Sequence, residues 1–214
     1  MHVREGAARA LGYMGRAASV AVNSLTSLLN DVEPIVQTAA ALALGQIKTH
    51  VSHFLPSLMS RVGSQNEQVR GSAIIALGRI GPAAAAAVPI LCDVLSDEDW
   101  TIRGAAAASL GRFGGSAAGA VGALLGRLND PEERVRAAAA AALGAIGPAT
   151  TEVVPALLST FFSAAPGSLR DSAQAALDQI KFVSPELLPT YLSSNVSYLD
   201  MKREYEESSH TIFS

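Results

Sequence analysis

Val135–Gly147 reads VRAAAAAALGAIG. A branched apolar residue and an arginine open it, alanines fill it, and a Leu-Gly pair followed by Gly147 closes it. The frame recurs along the chain. Leu-Gly pairs stand at Leu11–Gly12, Leu44–Gly45, Leu77–Gly78, Leu110–Gly111 and Leu143–Gly144, with the same step from each leucine to the next. A sixth copy, Leu177–Asp178, follows with that step lengthened by one. Eight residues before each leucine stands Val3, Val36, Val69, Ile102, Val135 or Leu169, followed by Arg4, Gln37, Arg70, Arg103, Arg136 or Arg170. A fixed period of this length marks a solenoid, a stack of like units that share one continuous core. Within the quoted copy, Val135, Ala138, Ala139, Ala142, Leu143 and Ile146 fall at offsets 0, 3, 4, 7, 8 and 11, one face of a helix.

The other half of each period also reads as a helix. Pro56–Ser57–Leu58, Pro89–Ile90–Leu91 and Pro155–Ala156–Leu157 place a proline where a first helical turn tolerates it. Polar turns follow, such as Asp97–Glu98–Asp99 and Asn129–Asp130–Pro131, which cap the next helix. Gly81–Pro82 and Gly147–Pro148 end the second helix and turn the chain. The spacing predicts an opening second helix over 3–14 and helix pairs over 19–48, 51–81, 84–114, 117–147 and 151–181. A last first-type helix is predicted over 184–194, with Ser184 as its N-cap. Residues 1–194 thus form one solenoid, a rod on the order of 50–60 Å long at about 8–10 Å per layer. Residues 195–214 form a capping helix or a tail.

A helix with an early proline, an aspartate eight residues on (Pro89 to Asp97) and a second helix opening with Val-Arg resembles the HEAT repeat. The ALGxIG ending, Ala76–Leu77–Gly78–Arg79–Ile80–Gly81, is similar to the variant of phycobilisome lyases. The resemblance covers residues 3–192, with departures at Asn23 and Gly122 for proline and Gln37 for arginine. It implies an all-α, right-handed α-solenoid of antiparallel helix pairs whose second helices line a concave surface. It also implies that the repeated arginines join successive layers in a ladder of hydrogen bonds.

Composition narrows the function. With 16% charged residues and a net charge of −3, the chain lacks the basic excess of a general nucleic-acid binder. Cys92 is the only cysteine, so an internal disulfide and a thiolate zinc site are both excluded, which suits a reducing, cytoplasmic setting. Arg4, Arg9 and Arg16, opposed only by Glu5, mimic a transit peptide, but the same stretch holds the repeat positions Val3, Arg4, Leu11 and Gly12. The opening half-repeat shows no polar cap, which predicts a partner over that end or a longer array.

Candidate chemistry is sparse. His50 and His53 share a helical face without a carboxylate motif, and read as solvated surface. HEAT-like deoxyhypusine hydroxylase binds iron through His-Glu pairs, and the chain has no His-Glu dipeptide. Cys92, between Leu91 and Val94–Leu95, reads as an inert core thiol. No catalytic residue, cofactor or metal is predicted. Arg70, Arg103, Arg136 and Arg170 have two readings: the ladder with Asp97 and Asp130, or a cationic row for acidic peptide, phosphate or RNA. On the second helices, Gly71, Gly104 and Ala137, then Ile74, Ala107 and Ala140, are predicted to face outward as a smooth groove edged by Arg79 and Arg112. Trp100, the only tryptophan, is either an interface anchor or packed on a neighbouring turn.

The function expected is a non-catalytic scaffold or adaptor, binding a protein partner through Trp100, Arg79, Arg112, Gly71, Gly104 and Ile74. Two alternatives stand beside it: an accessory subunit of an enzyme such as a phycobilin lyase or its chaperone, and a nucleic-acid scaffold that uses the arginine row.

Overall fold

A computed structural model describes residues 2–147 and 152–183. They are helices joined by turns, with no strand among the described residues. The second helices are α1 (His2–Met14), α3 (Pro34–Ile47), α5 (Glu67–Ile80), α7 (Trp100–Arg112), α9 (Glu133–Ile146) and α11 (Ser168–Val183). Each packs side by side with the next in chain order. The first helices α2 (Val22–Leu28), α4 (Val51–Val62), α6 (Val88–Val94), α8 (Val121–Arg127) and α10 (Val153–Ser163) each pack against the second helix that follows them. The expected helix over 184–194 and the tail over 195–214 lie outside the described residues.

The motif leucines Leu44, Leu77, Leu110 and Leu143 are wholly buried between the two rows, beside Leu25, Leu58, Leu91, Leu124 and Leu157 from the first helices. The glycine that follows each motif leucine has a steric cause. A Cβ on Gly45 would come 2.7 Å from Ala76 Cα, on Gly78 2.9 Å from Ser109 Cα, on Gly111 2.9 Å from Ala142 Cα, and on Gly144 2.5 Å from Ala176 Cα. Real Cβ atoms do not approach backbone so closely, so successive second helices touch main chain to main chain along a seam. In the row of small partners Ala43, Ala76, Ser109, Ala142 and Ala176, the serine adds a buried hydrogen bond across the seam, from Ser109 Oγ to the Ile74 carbonyl at 3.0 Å.

The connections between layers are less uniform than the repeat suggests. Three first helices are entered through 3-10 segments, Gly15–Ala21, Gly81–Ala87 and Gly114–Ala120, each bent at a buried alanine (Ala18, Ala84, Ala117). Gly15, Gly81, Gly114 and Gly147 all have positive φ, as a chain reversal there requires. The equivalent position in the second layer is Lys48, held at φ 56°, with His50 close behind at φ 54°. In that layer Val51–Phe54 are α-helical where other layers are 3-10. Pro56 therefore lies inside α4, at its sixth residue, and not in the opening turn expected for it. Pro89, by contrast, is the second residue of α6. The stretch Glu67–Val94 reaches a mean hydropathy of 1.8 over 18 residues, enough by composition for a membrane span. Gly81 (φ 73°, ψ −144°) turns the chain in its middle, and over half of that window is buried against the other layers.

Candidate protein-binding face

The turns between first and second helices carry the repeated arginines, and their geometry decides between the two readings of that row. Arg103 donates from Nε and Nη2 to both carboxylate oxygens of Asp130 at 2.8 Å, and from Nη1 to the carbonyls of Asp97 and Glu98 at 2.9 Å. Arg70 repeats the scheme: Nη1 reaches the Ser64 carbonyl at 3.0 Å, Nη2 reaches Asp97 Oδ1 at 3.4 Å, and Nε lies 3.1 Å from Asp97 Oδ2 without hydrogen-bond alignment. Arg4 pairs with Asp31 at 2.7 Å. Each of these aspartates also accepts the backbone N–H two residues on, from Glu33, Asp99 or Glu132, which shapes the entry to the next helix. These guanidiniums are bound into the ladder that the resemblance implies.

The electrostatics follow from this. Burial pushes the Asp130 carboxyl up, but hydrogen bonds from Arg103 and the Glu132 N–H outweigh it, with the charges of Arg103 and Arg127 adding to them. The group is held below the ordinary carboxylate range. The bond to Asp130 holds Arg103 above its usual value against the opposing effect of burial. Asp31 is lowered, first by the Glu33 N–H and then by Arg4. On the same edge the Glu67 carboxyl is raised by its hydrogen bond to Asp99 and the repulsion between them. Burial raises the Cys92 thiol, which disfavours the thiolate and agrees with an inert role.

The outward face of the second helices is built differently. Each interior helix is covered on three sides: by the first helices and by a second helix on either hand. An open stripe runs along each at offsets −1, 2, 6 and 10 from the motif valine, buried only at Ala137. In α5 that stripe is Gln68, Gly71, Ile75 and Arg79; in α7 it is Thr101, Gly104, Ala108 and Arg112. In α3 it is Ile35, Thr38, Leu42 and Gln46, and in α9 Arg134, Ala137, Ala141 and Ala145. No position in these four stripes is acidic. Arg79 and Arg112 occupy adjacent layers, about 8–10 Å apart at ordinary helix spacing, and neither forms an ion pair among the described residues. At the N-terminal end a hollow of about 260 Å³ is lined by Arg9, Tyr13, Thr38, Leu42, Gln46 and Arg79. Tyr13 is 83% exposed, Arg9 is held by Glu5 at 2.8 Å, and Thr38 Oγ1 is buried without a hydrogen-bond partner.

The expected site residues divide accordingly. Arg79 and Arg112 stand on the outward face, and Gly71 and Gly104 are half-buried on it. A Cβ on Gly71 would lie 3.3 Å from Ile102 Cδ1 of the next layer. Ile74, expected on this face, is wholly buried, as are Ala107 and Ala140, while Ala137 is 7% exposed. Offset 5 points at the following layer, and that layer covers it. Trp100 is half-exposed on the turn edge as the first residue of α7, with the Arg134 guanidinium 5.2 Å from its ring centroid. It lies beside the first turn of α9 and apart from the Arg79/Arg112 row. Tyr13, Leu42 and Ile75 were missed. Their signal was present in the repeat register: Leu42 and Ile75 lie one position beyond the Ile74 row, and Tyr13 shares the register position of Arg79 and Arg112. His50 and His53 stack at 5.7 Å, and no group of three metal-ligating side chains occurs among the described residues.

Comparison with known proteins agrees with this architecture. A family model for HEAT repeats matches residues 2–64 and 55–121, and a second HEAT-repeat model matches 120–149. No curated protein matches the sequence. Among solved structures, the complex of CpcE and CpcF of phycocyanin lyase from Nostoc sp. aligns with a TM-score of 0.59 at 22% identity, over 74% of this chain and 99% of that one. A computationally designed armadillo repeat protein for modular peptide recognition gives 0.59 at 22% identity, over 81% and 92%. Kap121p bound to Nup53p gives 0.71 at 18% identity, over 90% of this chain but 23% of that one. Identities this low speak to the fold alone. With HEAT models covering more than half of its length, the chain belongs to the HEAT-repeat family.

Proposed function

We propose that the protein is a non-catalytic scaffold that holds a protein partner along the outward face of its second helices. The single observation that carries this is the segregation of charge. The chain has a net charge of −3, yet the free stripes of its four central second helices hold no carboxylate, while Arg79 and Arg112 stand on them beside Leu42 and Ile75. A face of that kind fits an amphipathic segment with acidic side chains along one edge and apolar ones between them. The small residues at Gly71, Gly104, Ala108 and Ala141 let its backbone approach closely. The solved relatives that bind a protein or peptide by their printed descriptions, Kap121p with Nup53p and the designed peptide-recognition repeats, support the reading.

The test is capture of partners from the native extract by the intact chain, beside an Arg79→Glu/Arg112→Glu variant and an Asp93→Lys variant on the exposed side of α6. A stoichiometric protein retained by wild type and Asp93→Lys, and lost by the double variant, is the expected outcome. A partner retained equally by all three places binding on another surface. Co-purifying pigment would favour the lyase-accessory reading in its place, and nucleic acid released steeply by salt would favour the nucleic-acid reading.

A further inference from the structure

The ladder obeys a rule of distance along the chain. The motif side chain reaches back six residues to a turn carbonyl, as Gln37 does to Asp31, Arg70 to Ser64, Arg103 to Asp97 and Arg136 to Asp130. It reaches forward 27 residues to an aspartate, as Arg4 does to Asp31, Arg70 to Asp97 and Arg103 to Asp130. Two layers break the forward link. In one, arginine and aspartate are lost together: Gln37 stands opposite position 64, a serine, and no charge is orphaned. In the other only the acid is lost. The place at that same forward distance from Arg136 is held by Ser163, whose hydroxyl is turned to the Ser159 carbonyl at 2.7 Å.

Arg136 keeps its backward bonds, from Nη1 to the carbonyls of Asp130 at 2.6 Å and Pro131 at 3.0 Å, and forms no ion pair among the described residues. A hollow of about 590 Å³ opens where the next aspartate would be, with Asn129, Arg136, Ser159, Thr160 and Ser163 in its wall. The nearby acids do not fill the role. Asp130 is engaged by Arg103 and Arg127. Glu133 also borders the hollow, without reaching Arg136 as an ion pair. Arg136 therefore offers Nε and Nη2 to a space of the right size for more than one side chain, in the geometry with which Arg103 grips a carboxylate one layer earlier.

We infer that this hollow is a binding site for an aspartate or glutamate side chain of a partner polypeptide, which Arg136 holds as Arg103 holds Asp130. The site lies on the turn edge and does not depend on the helix face discussed above. It is tested with the intact chain labelled with 15N at arginine, the Arg136 Nε–H signal being assigned by its loss in Arg136→Gln. The probes are a blocked Gly-Glu-Gly-Glu-Gly peptide, its glutamine counterpart and inorganic phosphate. The expected result is a saturable shift of the Arg136 signal by the glutamate peptide and none by the glutamine peptide. In Ser163→Asp, which supplies the missing carboxylate from within, affinity for the glutamate peptide is expected to fall by about tenfold or more. Position 163 is exposed, so that variant keeps the fold, and an unchanged melting curve verifies it. No shift with the glutamate peptide, the same affinity in Ser163→Asp, or phosphate binding as tightly as the peptide would each overturn the assignment.

Discussion

Arg103 and Arg136 occupy the same place in successive second helices, one repeat apart, and their surroundings could hardly differ more. The first is closed between two turns, its side chain 11% exposed against an Asp130 carboxylate with no exposure at all. Among the described residues the second meets carbonyls and an open hollow. A repeat position thus specifies a side chain but not its energetic role, which depends on what the next copy returns. The junction at Arg103 is structural because the acid is present. The following one is available for binding because the acid is missing.

The largest effect should come from breaking the closed side of this pair. Asp130→Ala leaves Arg103 buried without a counter-charge and is expected to cost about 3–5 kcal/mol in chemical denaturation. Ser163→Ala, at the open layer, should stay within about 0.5 kcal/mol. Similar values for the two would erase the distinction. Next, Gly78→Val drives a side chain into the Ser109 backbone and is expected to cost about 1–3 kcal/mol or more. Gly119→Ala, where an added Cβ meets nothing within 4 Å, should be neutral or gain up to about 1 kcal/mol.

Acid sharpens the comparison further. Asp130 has a lowered pKa in the folded protein, so the unfolded chain binds its proton more readily. Its contribution is complete above the ordinary carboxylate pKa of about 3.9 and is lost as pH falls through the depressed value. Wild type should therefore lose more stability between pH 5 and pH 2 than Asp130→Asn does, read from denaturation midpoints on the order of one pH unit apart. Equal acid limbs would assign the loss to other groups. Smaller still, Lys48→Gly relieves a left-handed lysine where the other layers hold glycine, and should gain about 0.5–1 kcal/mol. At the N-terminal rung, Arg4→Ala should leave the denaturation midpoint nearly unmoved, because Arg4 is 47% exposed and water screens its pair with Asp31.

Periodicity made the architecture readable, and the resemblance to HEAT repeats implied the ladder. Five Leu-Gly pairs in register locate the second helices, and a branched apolar residue eight residues earlier, followed by arginine in all but the second copy, locates each rung. The outward face was misread at Ile74 for a physical reason. A helix with one buried side has a core stripe and a solvent stripe, but an interior solenoid helix also buries its flanks against both neighbours. Offset 5 looks free on a helical wheel and is in fact covered by the next layer. The free row runs one residue later, through Leu42, Ile75, Ala108 and Ala141. Pro56 shows a second limit. Whether a proline opens a helix depends on whether the preceding turn is 3-10 or α, and Lys48 with His50 redirects that turn. The hollow at Arg136 was legible in part: Ser163 stands where an aspartate is due, but only the fold shows that no carboxylate among the described residues pairs with Arg136 in its place.

The glycine seam has a consequence for editing the molecule. The partners of Gly45, Gly78 and Gly111 are Ala76, Ser109 and Ala142, a constant step ahead, while Gly144 meets Ala176, one further on. The extra residue of the last period is taken up between the contacts, and the contact itself is kept. Length can therefore change in the turns or by whole periods, but not by single residues within a second helix. Excising residues 79–111 would set Gly78 against Ala142 in place of Ser109, so the chain behaves as a string of exchangeable units whose smallest clean deletion is one full period.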